Sequence, residues 1–386
     1  MTYKNNDLAP VVLIEGDGIG PEISEAVVRI LAAADAGIDW IRCDAGGRVF
    51  AGGDASGLPR ATIDAIRRCG VALKAPLATP IGHGERSANV TIREEFETFA
   101  SVRPVRTLPG TQTSRARPDI DLILVRENFE DLYIGIEYDL GDGVVTSLKV
   151  NSAANTRRIC ETAFFIARSQ KRRRVTGISK SNILKLSDGM FDRIFDEVAA
   201  RYPEIESDRL LVDASACKLV TDPSRFDVLV TSNLYGDILS DLVAGLGGGL
   251  GVCASINLGD DVAIYEAVHG SAPDIAGRGI ANPTALLRAA LLMLDHIGRA
   301  DVADRVDAAL EAVLTGGETR TADLGPGGTQ VGTGGFADAV IAALSSAGGS
   351  GSRLRWVPPS PGDIPGESRP AGNLRRLVHA KLAAGV

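Results

Sequence analysis

Asp237 and Asp241 stand four residues apart in "GDILSD" (236–241), directly after the apolar run "FDVLVTSNLYG". On a helix, side chains at i and i+4 share one face, so these carboxylates can address a single point. Two like charges that close repel unless a cation sits between them or water surrounds both. The plain reading is a solvated first turn, because acidic residues favour a helix N-terminus. A third carboxylate, Asp213 in "LLVDASACKLVTDP", can join the pair. Three carboxylates without a histidine or cysteine partner form a hard oxygen site, suited to Mg2+ or Mn2+. Complementary chemistry lies between residues 79 and 133, in "TPIGHGERSANVTIR", "SVRPVR" and "LVRENFEDLY". Arg93, Arg103 and Arg126 fall at strand or helix edges inside apolar stretches, with Ser87 and Asn89 upstream. Each arginine alone reads as a surface residue. Three that converge suit a di- or tricarboxylate, since guanidinium forks grip carboxylates bidentately.

The elements that must position these groups alternate. "VVLIEG" (11–16), "IDWIRC" (38–43), "GVALK" (70–74), "DLILVRE" (121–127), "FDVLV" (226–230) and "VAIYEAV" (262–268) read as buried strands. Helical periodicity covers 23–36, 152–169, 188–200, 237–246, 283–297 and 301–315, with Pro21 at a favoured first helical position. This alternation predicts an α/β protein. The stretch "YIGIEYDLGDGVVTSLKV" (133–150) breaks the rhythm and reads as a hairpin closing through "LGDG". "GDGIGPE" (16–22) links a strand to a helix, but its spacing is not the G-x-G-x-x-G of a Rossmann turn. "GLGGGLG" (245–251) reads as a helix end and close-packed turn. From about 345 a Gly-, Ser- and Pro-rich stretch predicts a flexible or extended tail, closed by a short basic helix in "NLRRLVHAKLAA".

Composition narrows the function classes. A net charge of −8 argues against nucleic acid or an anionic membrane as main partner. No apolar run reaches the roughly 18–20 residues of a membrane span, and "MTYKNNDLAP" has no secretory pattern. The five cysteines, odd in number and without a CxxC pair, predict reduced thiols in a cytoplasmic protein. Cys217, four residues after Asp213, reads as a packing residue.

"GDGIGPE", "TPIGHGERSANVTIR", "RENFEDLYIGIEY", "NLYGDILSDLVAGLGGGLG" and "EAVHGSAPDIAGRGIANPTA" together resemble the signatures of the isocitrate/3-isopropylmalate dehydrogenase family, in order, over about residues 10–345. The likeness is greatest to its NAD-dependent isocitrate members. The resemblance implies a non-Rossmann α/β fold. It assigns 1–100 and 250–345 to a large, discontinuous cofactor-binding domain and 101–249 to a small substrate and dimerisation domain. A β clasp is placed near 133–150, and 346–386 forms a C-terminal tail. It further implies a homodimer with shared sites. Asp237 and Asp241 match metal-binding aspartates, and Asp213 matches the one supplied by the partner. Lys180, in "GISKSNI", matches a general base or proton relay that also crosses the dimer. Tyr133 matches the proton donor to the enol, and Arg93, Arg103 and Arg126 match the carboxylate-binding arginines. Ser87 and Asn89 match the pair that isocitrate enzymes present to the γ-carboxylate. Cofactor contacts fall to Thr79, His269, Gly270, Ala272, Asp274, Ile275 and Asn282.

The implied reaction is metal-dependent oxidative decarboxylation of isocitrate to 2-oxoglutarate, with hydride passing to NAD, in the tricarboxylic acid cycle. Asp274 and Ile275 stand where NADP-dependent bacterial relatives carry Lys-Tyr. A carboxylate there accepts hydrogen bonds from the adenosine 2′-OH and repels a 2′-phosphate. "RTADLG" (320–325) lacks the tyrosine and arginine expected around such a phosphate. Phe129, Ala78 and the "SK" at Lys180 depart from the family pattern. They leave open an isocitrate-like analogue (homoisocitrate, 3-isopropylmalate or a phosphonate), while a catalytically weak regulatory subunit is the alternative from another class.

Overall fold

The computed structural model describes residues 8–78, 87–111, 120–345, 353–359, 363–364 and 371–383. Runs of apolar residues buried on both faces build the interior of one ten-stranded sheet, as expected where helices cover both sides, and its two edge strands are partly exposed. Its strands are β1 (Ala9–Ile14), β2 (Ile38–Cys43), β3 (Val71–Lys74), β4 (Ala100–Arg106), β5 (Asp121–Glu127), β8 (Arg174–Ser179), β9 (Glu206–Leu211), β10 (Val228–Thr231), β11 (Ala254–Leu258) and β12 (Ala263–Ala267). The spatial order is β2-β1-β3-β12-β11-β4-β5-β10-β8-β9. Pairing is parallel through β2, β1, β3 and β12, and again through β5, β10, β8 and β9. Between the two runs, β12–β11, β11–β4 and β4–β5 pair antiparallel. The two parallel runs therefore point in opposite directions, which no Rossmann sheet does. A separate hairpin, β6 (Glu137–Asp139) and β7 (Val145–Ser147), forms where the sequence predicts one, its loop carried by positive φ at Gly141, Asp142 and Gly143.

The helices in chain order are α1 (Gly20–Ala33), α2 (Gly47–Ala51), α3 (Arg60–Cys69), α4 (Ala88–Glu95), α5 (Ala153–Ser169), α6 (Ser187–Ala199), α7 (Val212–Thr221), α8 (Asn233–Leu246), α9 (Thr284–His296), α10 (Ala300–Gly316), α11 (Thr333–Ala343) and α12 (Ala371–Ala383). In α1 the apolar positions Ile23, Ala26, Val27, Ile30 and Leu31 form the buried stripe. α9 is buried nearly all round, consistent with its run "TALLRAALLML". No helix among the described residues is long and apolar enough to cross a membrane. All five cysteines are unpaired. Cys217 is exposed, not packed, because α7 turns Ser215 and Leu219 inward and leaves the intervening position to solvent.

Two glycine motifs serve packing. Gly18 has φ +59, and a Cβ there would lie 1.9 Å from the Ser271 carbonyl oxygen, so the 16–22 turn is built to receive the 269–275 loop. α8 ends at Leu246, and Gly248 and Gly249 take φ of 124° and 110° to reverse the chain.

The tail departs from a free extension. Arg353 reaches Asp295 with both Nη atoms (2.5 and 2.8 Å), and the Trp356 amide donates to the same carboxylate at 2.8 Å. Trp356 itself is buried. Further on, α12 lays Leu374 against Ile134 and Ile136 beside the hairpin. The tail's apolar and cationic side chains were sparse enough in sequence to read as linker, yet Arg353, Trp356 and Leu374 have partners on the body of the fold.

Candidate active site

The site forms where β4, β5 and β12 meet α4 and α8. Arg126 ends the apolar run of β5, and its Nε and Nη2 donate to Asn233 Oδ1 at 3.0 and 2.7 Å. Its Nη1 donates to Asp237, the first acid of α8. Gly236 makes this approach possible, since a Cβ there would fall 2.5 Å from Arg126 Cγ. One turn on, Asp241 accepts from Arg103 Nη1 at 2.9 Å, and Arg103 also holds Ser240 Oγ at 2.6 Å. Tyr133 sits in a short 3-10 turn, Leu132–Ile134, and donates its hydroxyl to Asp237 Oδ2 at 2.5 Å. The Arg126 guanidinium lies 4.9 Å from the centre of the Tyr133 ring. Asn89 and Arg93, four apart on α4, share a face of that helix.

The sequence-predicted residues Asn89, Arg93, Arg103, Arg126, Tyr133, Asp237 and Asp241 thus cluster around the centre of the sheet. Ser87 lies just ahead of α4. Burial lowers the pKa of Arg93, opposed by Glu266, with Arg103 adding to the lowering. Burial and the neighbouring Arg93 bring Arg126 down to about 10 against the pull of Asp237. For Asp237 burial pushes upward, but Arg126, the Tyr133 hydroxyl, Arg103 and Arg93 outweigh it and hold the carboxyl below its usual range. Burial and the bond to Asp237 raise Tyr133, so its hydroxyl keeps its proton. Three cations around two carboxylates leave a surplus of positive charge for an anionic ligand. Among the described residues, buried Asn89 Oδ1 and Arg103 Nε have no hydrogen-bond partner.

Asp237 and Asp241 present only oxygen donors and keep 38% and 54% of their side chains accessible, a donor set that fits a hard divalent cation. Asp213 does not join them. It opens α7 and accepts from Lys180 Nζ at 2.5 Å, forming a second cluster. Among the described residues no three acidic, histidine or cysteine side chains converge on one point.

Of the residues predicted to touch a cofactor, Thr79 lies outside the described residues. His269, Gly270, Ala272, Asp274 and Ile275 form the loop packed over Gly18, with Ala272 strained at φ 39°. Burial lowers the His269 pKa, and its Nε2 lacks a partner among the described residues. Asp274 is exposed and Ile275 half-buried. Asn282 donates to Asp323 Oδ2 at 2.9 Å, which ties this loop region to the "RTADLG" segment.

Sequence reasoning missed the polar layer beneath the arginines. Lys74 and Glu266 form a buried ion pair at 2.7 Å, and Asn257 donates to Glu266 at 2.6 Å and accepts from Asn128 at 3.1 Å. Burial pushes Glu266 upward, but Lys74, Arg93 and Asn257 hold it at about 2. Beside it, burial and Glu130 push Glu127 up to about 8. The available signal was a charge inside each apolar strand, in "VALK" and "AIYEA".

A mixed sheet of two opposed parallel runs, with an arginine-walled acidic helix at its centre, defines a non-Rossmann α/β protein. The chain belongs to the isocitrate/isopropylmalate dehydrogenase family, whose profile matches residues 10–340. It is 48% identical to the NADP isocitrate dehydrogenase of Thermus thermophilus over 81% of this chain and 63% of that protein. It therefore spans under two thirds of the length of that relative. The probable NAD isocitrate dehydrogenase subunit alpha, mitochondrial, of Drosophila melanogaster is 45% identical, over 82% of this chain and 83% of the relative. The crystal structure of isocitrate dehydrogenase from Methylococcus capsulatus superposes with a TM-score of 0.83 at 44% identity, over 87% of this chain and 99% of the other.

Proposed function

We propose that this chain catalyses oxidative decarboxylation of isocitrate to 2-oxoglutarate with NAD as hydride acceptor and Mg2+ or Mn2+ as cofactor. The observation that carries this reading is the convergence of Arg93, Arg103 and Arg126 on the Asp237–Asp241 face of α8, with the Tyr133 hydroxyl aimed into it. The arginine forks bind and orient the substrate carboxylates, and Ser87 and Asn89 receive the γ-carboxylate. Asp237 and Asp241 would hold the divalent ion, completed by Asp213 of the partner subunit. When bound, that ion would supply Lewis acidity at the substrate hydroxyl, and NAD would supply the hydride acceptor. Lys180 Nζ, also from the partner, takes the hydroxyl proton as C–H electrons leave the same carbon. Loss of CO2 leaves an enol, and Tyr133 Oη returns a proton to its carbon. The raised pKa of Tyr133 suits this role, since the hydroxyl stays protonated until the enol demands it.

A shared site accounts for two half-clusters in one chain. Exposed Ile183, Leu186 and Ile238 flank Lys180 and the acidic helix, apolar surface that a second copy would cover. The reading retains the division into a discontinuous large domain and a small domain with its clasp, and a cytoplasmic location. NAD is preferred because exposed Asp274 repels a 2′-phosphate. The relatives named above include both NADP and NAD enzymes, so the assay uses both. Purified protein is offered isocitrate, homoisocitrate and 3-isopropylmalate with each cofactor, with Mg2+ or EDTA. Isocitrate with NAD and Mg2+ should give the highest kcat/KM. A preference for another acid, or turnover in EDTA, would overturn the assignment.

A further inference from the structure

At the strand ends opposite the arginine pocket lies a cavity of about 1030 Å3. Arg106 closes β4, Asp121 opens β5, Arg174 opens β8 and Asp227 precedes β10, and all four line it. The candidate active site, by contrast, uses the far end of β5 and the helix that follows β10. Nine arginine and lysine side chains line the cavity with three carboxylates, in a chain whose net charge is −8. Carboxylates behind the lining pair four of these cations, Arg106 with Glu311, Arg225 with Asp208, Arg353 with Asp295 and Asp304, and Arg355 with Asp304. Carboxylates fix several of these cations in place. Arg172 bonds Asp121 at 2.7 Å and Asp227 at 3.0 Å, Arg225 bonds Asp208 at 2.8 Å, and Arg353 is held by Asp295. A guanidinium has five N–H donors, so pinning one edge leaves others available. Nε of Arg225 and Nε of Arg353 are buried without an acceptor among the described residues, and the Arg353 side chain is only 6% exposed. Buried donors left unpaired cost stability unless something binds them. At the rim, the exposed side chains of Lys171 and Arg173 have no carboxylate partner among the described residues, although the Arg173 amide donates to Asp227 at 2.6 Å. Pro104, Val105, Phe226 and Leu354 supply an apolar floor. One wall, Arg353 to Arg355, belongs to the tail beyond residue 340, outside the stretch the family profile matches.

We propose that this cavity is a binding site for a small polyanion bearing two or more phosphate groups. Pre-positioned guanidinium groups supply bidentate phosphate recognition. The volume is at the upper end of small-molecule sites and exceeds what a single carboxylate or phosphate fills. The proposal stands apart from the assigned reaction and uses none of its residues.

The test is calorimetric titration of the full chain with inorganic tripolyphosphate and, separately, with ADP. It is repeated on a Lys171→Glu/Arg173→Glu double variant and on Arg353→Gln. Binding should saturate near one equivalent per chain, and the double variant should weaken it at least tenfold. Arg353→Gln should weaken it too, while kcat and KM for the assigned substrate stay unchanged in the rim variant. Tighter binding of ADP than of tripolyphosphate would identify a nucleotide as the ligand type. Equal or weaker ADP binding would identify the phosphate chain alone. Absence of saturable binding by both probes, or unchanged affinity in the rim variant with an unaltered circular dichroism spectrum, would overturn the site.

Discussion

Glu266→Gln tests the polar layer under the arginines. The Glu266 and Lys74 side chains are 12% and 3% exposed and meet at 2.7 Å. At an effective dielectric near 20, such a pair attracts by about 6 kcal/mol before the cost of removing both ions from water. A carboxyl held at about 2 against an ordinary 4.5 corresponds to about 3 kcal/mol of net stabilisation of its charged form. Glutamine keeps the shape and a partner for Asn257 but leaves Lys74 without a counter-ion, so the variant should lose about 3 kcal/mol. The sign follows from the depressed pKa. The contribution is fully present above about pH 4.5 and disappears as pH falls toward 2, so wild type and variant should converge in acid. Urea unfolding at one fixed protein concentration, at pH 7, 5 and 3.5, measures this. The gap should be equal at pH 7 and 5 and narrower at 3.5. Lys74→Met added to Glu266→Gln should recover part of the loss, because the stranded ammonium is then gone. A loss below about 0.5 kcal/mol at pH 7, or a gap that widens in acid, would refute the reasoning.

Other expectations follow from the same geometry. Asp241→Asn should abolish turnover while leaving the far-ultraviolet dichroism unchanged, and near-normal activity after EDTA treatment would exclude it as a metal ligand. NAD should exceed NADP by at least roughly tenfold in kcat/KM, about 1.4 kcal/mol, with Asp274→Lys narrowing the ratio in steady-state assays. Trp356→Ala should destabilise the fold by about 3 kcal/mol in urea titrations, because the ring is buried where the tail meets the body.

Much of the fold was legible because its strands are long apolar runs and its helices keep a clean period. β2 and β5 fall on the predicted residues, 38–43 and 121–127. β4 and β9 were harder to see. "ASVRPVR" and "ESDRLL" carry charges and a proline that interrupt the pattern, and their strand identity comes from pairing with β5 and β8. That Asp237 and Asp241 share one helix face could be anticipated from their spacing, a local property; that Arg93, Arg103 and Arg126 gather there was implied by the family resemblance, since the chain separations exceed 100 residues. The Lys74–Glu266 pair could not be anticipated, because it joins residues from distant parts of the chain through the parallel register of β3 and β12. The docking of Arg353 and Trp356 was hidden for the same reason. Nothing in their neighbourhood announces the Asp295 carboxylate that receives both.

The central claim is that two copies of this chain complete each other's active sites, Lys180 crossing the interface while Tyr133 stays at home. Lys180→Met and Tyr133→Phe chains should each be nearly inactive as homodimers. In a mixed dimer one site carries both defects and the other carries neither. Dissociating and re-associating the two variants, with heterodimers verified by native mass spectrometry, should restore activity up to one wild-type site per heterodimer. Verified heterodimers that show no recovery would mean that Lys180 does not serve the neighbour's site.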